Sequence, residues 1–287
     1  MSEAKGKSPM DKYNEAVESI AINEQKYENF KNKECKSAFE TIDKIEKLKE
    51  MLPDLEAHKN DVVLSETCKT YLIQSYVLSK YGRVREIQTK QMVKGTISEW
   101  ESIELFAALE KRPYTKNTFR LSNEYISGTP DLHDNEDIIE STEIIDIKSS
   151  WDIFSFLSNV DNFDNDNYYW QLQGYLALTG AKIGTIAYCL VNTPDSIIEG
   201  EKYNLLRRLD VATEDAPEFK KEYQKLLANR KFDDIPMSDR MLTYSIDRND
   251  EDIEKIYRKV EKCREYLAEF EEKHIIFSKN HRKIIKP

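Results

Sequence analysis

Polar and apolar residues alternate along this chain with two different periods, and the change of period divides it. Through the first sixty positions apolar residues recur at helical intervals, as at Phe39, Ile42, Ile45 and Leu48, in a stretch rich in helix formers and nearly free of glycine. The spacing is too irregular for heptads. It predicts an amphipathic helix folded onto the body and ended by Pro53, not a long coiled coil. A second helical segment over 61–81 closes at Gly82, and a third over 83–109, with Ile97, Trp100, Ile103, Leu105 and Phe106 as its apolar face, stops before Pro113. Strand signals then take over. β-Branched residues cluster over 119–132 and 138–149, separated by His133-Asp134-Asn135-Glu136-Asp137, which predicts a hairpin or two strands of one sheet. NYYWQLQGYLALTGA (167–181) reads as a helix ended by Gly180, and TIAYCLV (185–191) as a buried strand. Helices return over 194–230. MLTYSI (241–246) predicts one more strand, followed by an amphipathic helix with Asp247 or Asn249 as N-cap. The expected organisation is a helical N-terminal segment (1–82), a mixed core (83–200), and a C-terminal part (201–287) of helices with one further strand packed on the core. The expected class is α/β, in the α+β sense.

Composition acts mainly by exclusion. With 39% hydrophobic residues, 16 Tyr, 11 Phe and 3 Trp among 287 residues, the chain can bury a sizeable core. No stretch approaches the roughly 20 apolar residues of a membrane span, and the first residues lack the apolar run of a secretory signal, so a cytoplasmic protein is expected. Cys35, Cys68, Cys189 and Cys263 are scattered without a CxxC pair, and the four histidines form no HxH or HxxxH pair. Neither a zinc site nor an iron–sulfur cluster is expected. A net charge of −10 provides no global attraction to nucleic acid, so binding to DNA would need a local basic groove or metal ions.

One stretch stands apart, SGTPDLHDNEDIIESTEIIDIKSSW (127–151). In a strand, Asp146 and Lys148 point to one face while Ile145 and Ile147 point to the other. Charges buried within such an apolar run need partners or a metal. Asp131 follows the Gly128-Thr129-Pro130 turn at the end of the preceding strand, so pairing of the two strands brings Asp131 and Asp146 together. Two converging carboxylates form a hard oxygen site suited to Mg²⁺ or Mn²⁺. The preceding helix offers Glu99 as a third carboxylate, with Glu101 and Glu104 as competitors. Lys148 would then orient water or stabilise developing charge in phosphodiester hydrolysis. Arg83, Arg85, Lys94, Arg112 and Lys116 flank that helix and are candidates for phosphate contacts, while the basic tail 273–287 suggests a nucleic-acid or partner arm. Each feature alone has an ordinary structural reading; their order on these elements is what points to a site.

Gly128-Thr129-Pro130-Asp131 followed by Asp146-Ile147-Lys148 resembles the signature of the PD-(D/E)xK nuclease superfamily. Gln171-Leu172-Gln173-Gly174-Tyr175 is similar to the QxxxY motif of its RecB-type and phage-exonuclease branches, which include the YqaJ-like viral recombinases. Gly95 followed four residues later by Glu99 resembles the helix glutamate of phage lambda-type recombination exonucleases, and that likeness selects Glu99 over Glu101. The resemblance covers 95–191. It implies a restriction-endonuclease-like core, a central mixed sheet flanked by helices. It further implies Glu99, Asp131, Asp146 and the Ile147 backbone carbonyl as metal ligands, Lys148 as the catalytic lysine, and Gln171 and Tyr175 as positioning residues. The activity implied is Mg²⁺-dependent exonucleolytic cleavage of DNA in phage-type recombination or repair, within a bacterial host's cytoplasm. A single-strand annealing protein and a homo-oligomer are the implied partners. A structure-specific or restriction-like endonuclease is one alternative and a non-catalytic DNA-binding scaffold another; the joint presence of Asp131, Asp146 and Lys148 weighs against the scaffold.

Overall fold

The structure, a computed structural model, describes residues 8–30, 36–59, 61–160 and 166–280. The chain divides into two compact units, Met1–Val84 with Arg258–Pro287, and Arg85–Tyr257.

The first unit is helical. Helices α1 (Pro9–Phe30) and α2 (Lys36–His58) pack on each other through Ala16, Ile20, Ala38 and Ile45. Pro53 does not end α2, contrary to the sequence expectation: the helix continues to His58, and just beyond it the Lys59 ammonium sits 4.5 Å from the Tyr13 ring of α1. Packing and that cation–π contact offset the single backbone hydrogen bond a proline removes. Helix α3 (Glu66–Tyr81) starts later than expected because the Ser65 hydroxyl accepts from Cys68 N as its N-cap, leaving 61–65 extended; Gly82 caps the other end. Tyr76 meets Phe270 edge-on at 5.3 Å, and Cys68 and Cys263 lie with sulfurs 3.8 Å apart, both free. Cys35 and the last seven residues of the basic tail fall outside the described residues.

The second unit carries the sheet. The expected helix over 83–109 is two helices, α4 (Lys90–Ile97) and α5 (Glu99–Glu110), because Ser98 leaves the helical path and serves as C-cap of one and N-cap of the other. Strand β1 (Thr115–Lys116) is followed by a small separate hairpin, β2 (Leu121–Ser122) with β3 (Ser127–Gly128), and then by β4 (Leu132–His133). The long strand expected over 119–132 is absent because Asn123 Oδ1 accepts from Tyr125 N and Ile126 N and reverses the chain there. Residues Ile138–Glu140 form a 3₁₀ turn capped by Asp137, so β5 (Glu143–Ser149) begins five residues later than expected. A short helix, α6 (Ile153–Leu157), follows under a reciprocal Asp152–Ser155 capping box, a signal readable in the sequence but not drawn on. Helix α7 (Asp166–Thr179), ended by Gly180 at φ +80°, crosses over to β6 (Ile183–Cys189). Then come α8 (Asp195–Leu209), α9 (Pro217–Ala228), β7 (Met241–Asp247) and α10 (Asp250–Asn280), whose N-terminus Asn249 caps.

The sheet order is β1-β4-β5-β6-β7, antiparallel except for the β5–β6 pair, so it is mixed and flanked by helices as expected. Alternation on β5 sorts two cores. Ile145 and Ile147 pack with Leu105 and Phe106 of α5, while Ile144 packs with Leu172 and Leu176 of α7. Asp146 and Lys148 share the α7 side. Among the described residues no helix is long and apolar enough to cross a membrane.

Candidate active site

The register of β4 against β5 pairs Leu132 with Ile145 and His133 with Ile144. Carried one residue further, it sets Asp131 opposite Asp146. The backbone holds Asp131 there: its N–H donates to Ile145 O at 3.1 Å, and its Oδ2 accepts from Ile147 N at 2.7 Å. Asn117, buried and unremarked in the sequence, donates from its backbone to Asp131 O and from its side chain to Pro130 O, both at 2.9 Å, and so fixes the turn. Gly128 has a steric reason. A Cβ there would lie 2.5 Å from Tyr175 Cε1, so the glycine of the turn makes room for the tyrosine of α7.

Asp146 is buried and incompletely satisfied. Its Oδ1 accepts from Gln171 Nε2 at a long 3.3 Å. Its Oδ2 lies 2.5 Å from Lys148 Nζ as an ion pair, yet at an angle that makes no hydrogen bond. Gln171 Nε2 also donates to the Tyr175 hydroxyl at 2.8 Å, so one face of α7 orients the carboxylate. Burial first, and then the charge of Asp146, push the Asp131 carboxyl up to about 6; burial pushes Asp146 up as well. The second negative charge is what the site resists. Burial opposes charging of Lys148, but the adjacent Asp146 carboxylate outweighs it and holds the amine above its usual range. The ammonium also lies 5.2 Å from the Tyr168 ring.

These groups border one cleft of about 780 Å³, with Gly95, Glu99, Asp131, Asp146, Ile147, Lys148, Gln171 and Tyr175 all on its wall. The donors fit a hard divalent cation. Two carboxylates resist ionising together, one of them, Asp146, has a buried oxygen without a hydrogen bond, and no thiol or imidazole borders the cleft. Glu99 stands apart from the pair. It opens α5, and its Oε1 takes the Lys116 ammonium at 2.8 Å. Among the described residues no three His, Cys, Asp or Glu side chains lie close enough together to hold a metal. Glu101 instead meets the Asn192 backbone, and Glu104 is exposed; neither borders the cleft.

The expected phosphate contacts need correction at two positions. Lys94 is fully buried, its ammonium donating to Val191 O at 2.9 Å and Trp151 O at 3.1 Å, so it has no path to a phosphate. The Arg112 guanidinium is committed to Glu143 and lies over the Tyr114 ring. Lys116 is held by Glu99 and lies over the Trp100 ring, while Arg83 and Arg85 are exposed. Lys94 looked like its solvated neighbours in sequence. Its position on the inward face of α4 is decided by packing.

No protein-family model and no curated protein matches the sequence. Solved structures do. The chain is similar to a phage-related exonuclease from Haemophilus somnus 129PT, with 26% identity and a TM-score of 0.57 over 76% of this chain and 88% of that one. It also matches an alkaline exonuclease, LHK-Exo, from Laribacter hongkongensis, at 15% identity and a TM-score of 0.49 over 77% of this chain and 88% of that one; a complex of LHK-Exo with dAMP is among the matches. In fold, a mixed sheet flanked by helices, the chain is thus similar to a phage-related exonuclease.

Proposed function

We propose that the protein is a metal-dependent nuclease that hydrolyses phosphodiester bonds of DNA, acting as an exonuclease in phage-type recombination or repair. The observation that carries this reading is the Asp131–Asp146 pair set face to face by strand register, with the Lys148 ammonium against it. The likeness to a phage-related exonuclease, of which the chain covers 88%, supports the exonucleolytic form. Asp131, Asp146 and the Ile147 carbonyl would hold Mg²⁺ or Mn²⁺, which when bound neutralises phosphate charge and makes water more acidic. Without metal, Asp146 holds the Lys148 amine above its usual range, and as an ammonium it can donate to an anionic oxygen. Gln171 keeps the Asp146 carboxylate in one orientation, and Tyr175 holds Gln171. Glu99, on the wall of the same cleft, would be a third ligand only after the Lys116 ammonium had released it.

The Glu99–Lys116 ion pair is also the observation that favours a second reading, a DNA-binding subunit without catalysis. Linear and circular duplex DNA, each incubated with Mg²⁺ and with chelator, separate the readings when wild type is compared with Lys148→Ala. Loss of only the linear form, dependent on metal and on Lys148, is expected. Cutting of circles would make it an endonuclease, and binding without cleavage would favour the scaffold.

A further inference from the structure

Trp151 follows the metal-site strand by two residues and borders the same cleft as Asp131, Asp146 and Lys148. Its ring is half-buried, and two separate devices hold it. Its carbonyl accepts from the ammonium of Lys94, whose other contacts are Val191 O and the Phe232 ring, 5.3 Å away. Its ring carries the Arg230 guanidinium 4.4 Å from the centroid, and Arg230 is in turn fixed by Glu201 at 2.8 Å, with both side chains about 85% buried (15% and 13% exposed). A tryptophan that served only as core filler would need neither anchor, and it would not border a polar, water-accessible cleft. The other cleft aromatic, Tyr168, has the Lys148 ammonium itself 5.2 Å from its ring and the edge of Tyr188 at 6.0 Å, so a base stacked there would compete with the lysine of the site.

We infer that Trp151 is a stacking platform for the nucleobase next to the scissile phosphate, with Lys94 and Arg230 as the positioning residues that hold its backbone and its ring. The assignment rests on the nuclease reading above and specifies how that site takes its substrate. A rigid indole suits this task. Stacking needs a flat, pre-oriented surface, costs no side-chain reorganisation when the ring is already fixed, and tolerates any base. The base is therefore held by its π-face and not read by its edge, which predicts cleavage with little sequence preference at that position.

The test uses the full chain in chelator, where nothing is cut, and short DNA carrying 2-aminopurine at each of its terminal positions in turn. Wild type is expected to bind and to quench the probe at one terminal position. Trp151→Leu is expected to abolish the quench and weaken binding about 5- to 150-fold, the effect of one stacked base. Trp151→Phe should retain part of both, and Lys94→Met, which leaves the ring in place but frees its backbone, should weaken the quench. In cleavage with Mg²⁺ the loss should fall on KM more than on kcat. An equal quench by Trp151→Leu overturns the platform while leaving the nuclease reading intact. A wild type that binds no DNA in chelator and cuts none with Mg²⁺ overturns the nuclease reading and the platform with it. Should Trp151→Leu fail to fold by circular dichroism, an undiminished quench by Trp151→Phe and Lys94→Met overturns the platform instead.

Discussion

Strand β5 buries one carboxylate at its start and another at its midpoint, and the fold treats the two oppositely. Glu143, its first residue, has a donor for each oxygen: the Arg112 guanidinium on Oε2 and the Thr185 hydroxyl on Oε1 at 2.6 Å, with Thr185 backed by Ser245 at 2.8 Å. Three residues on, Asp146 has one long amide contact, one ion pair without hydrogen-bond geometry, and a second carboxylate opposite. Both are buried, at 8% and 3% exposure, so burial does not separate them. Satisfaction does. A carboxylate whose lone pairs are all engaged is already at rest, whereas an under-coordinated one beside another negative charge remains open to a cation. Lys94 is an intermediate case, a buried charge served by two neutral carbonyls.

The comparison can be broken most decisively at the chemistry. Asp146→Asn and Lys148→Ala are each expected to lower cleavage of linear DNA by about 10²- to 10⁴-fold, measured as initial rates with Mg²⁺, whereas Glu143→Gln should leave kcat near wild type. Lys94 gives the next largest effect. Burial brings its amine down from 10.5 to about 8, so between those values the unfolded chain holds more protons and stability rises with pH. Melting curves from pH 8 to 10 should show a gain of up to about 3 kcal/mol that Lys94→Met lacks; a parallel rise in the variant would place the effect elsewhere. Metal comes third. At 100 times its Kd a cation that binds only the folded protein contributes about 2.7 kcal/mol. Because the Asp131 carboxyl is raised to about 6, the metal-free protein should lose stability as pH climbs from about 4 to 6, and the Mg²⁺-induced rise in Tm should appear over that window. Asp146→Asn should abolish that rise while making the metal-free protein more stable. The smallest effect sharpens the contrast: Glu143→Gln should cost about 1–2 kcal/mol, below the roughly 3–5 kcal/mol of a fully buried pair because Arg112 is half exposed. A stabilised Glu143→Gln would erase the distinction between the two carboxylates of β5.

Much of the site was legible because strand alternation and chain order are local properties. The period-two pattern of Glu143 to Ser149 placed Asp146 with Lys148 and against Ile145 with Ile147, and the two cores divide along that line. Gln171 and Tyr175 share a helical face at four residues' separation, and that face meets Asp146. What escaped notice depended on contacts distant in sequence. Asn117 reaches Pro130 across thirteen residues, Lys94 reaches Val191 across ninety-seven, and Arg230 reaches Trp151 from beyond α9. Pro53 and the break within 83–109 depart from the sequence expectation for a related reason: a proline reads as a stop, and a helical period shows no break at Ser98, until packing on α1, or the capping of two helices, decides otherwise.

By itself, the sequence determined which residues could carry chemistry, which strand faces they occupy, and where most helices and the central strands lie, because those follow from side-chain type and from the periods of helix and strand. Only the tertiary structure decided the register that brings Asp131 to Asp146, the burial that makes those two carboxylates resist sharing one site, the pairing that occupies Glu99, and the inward turn of Lys94. Each of these is a matter of which groups lose water together. That is a property of the folded arrangement and is written at no single position of the chain.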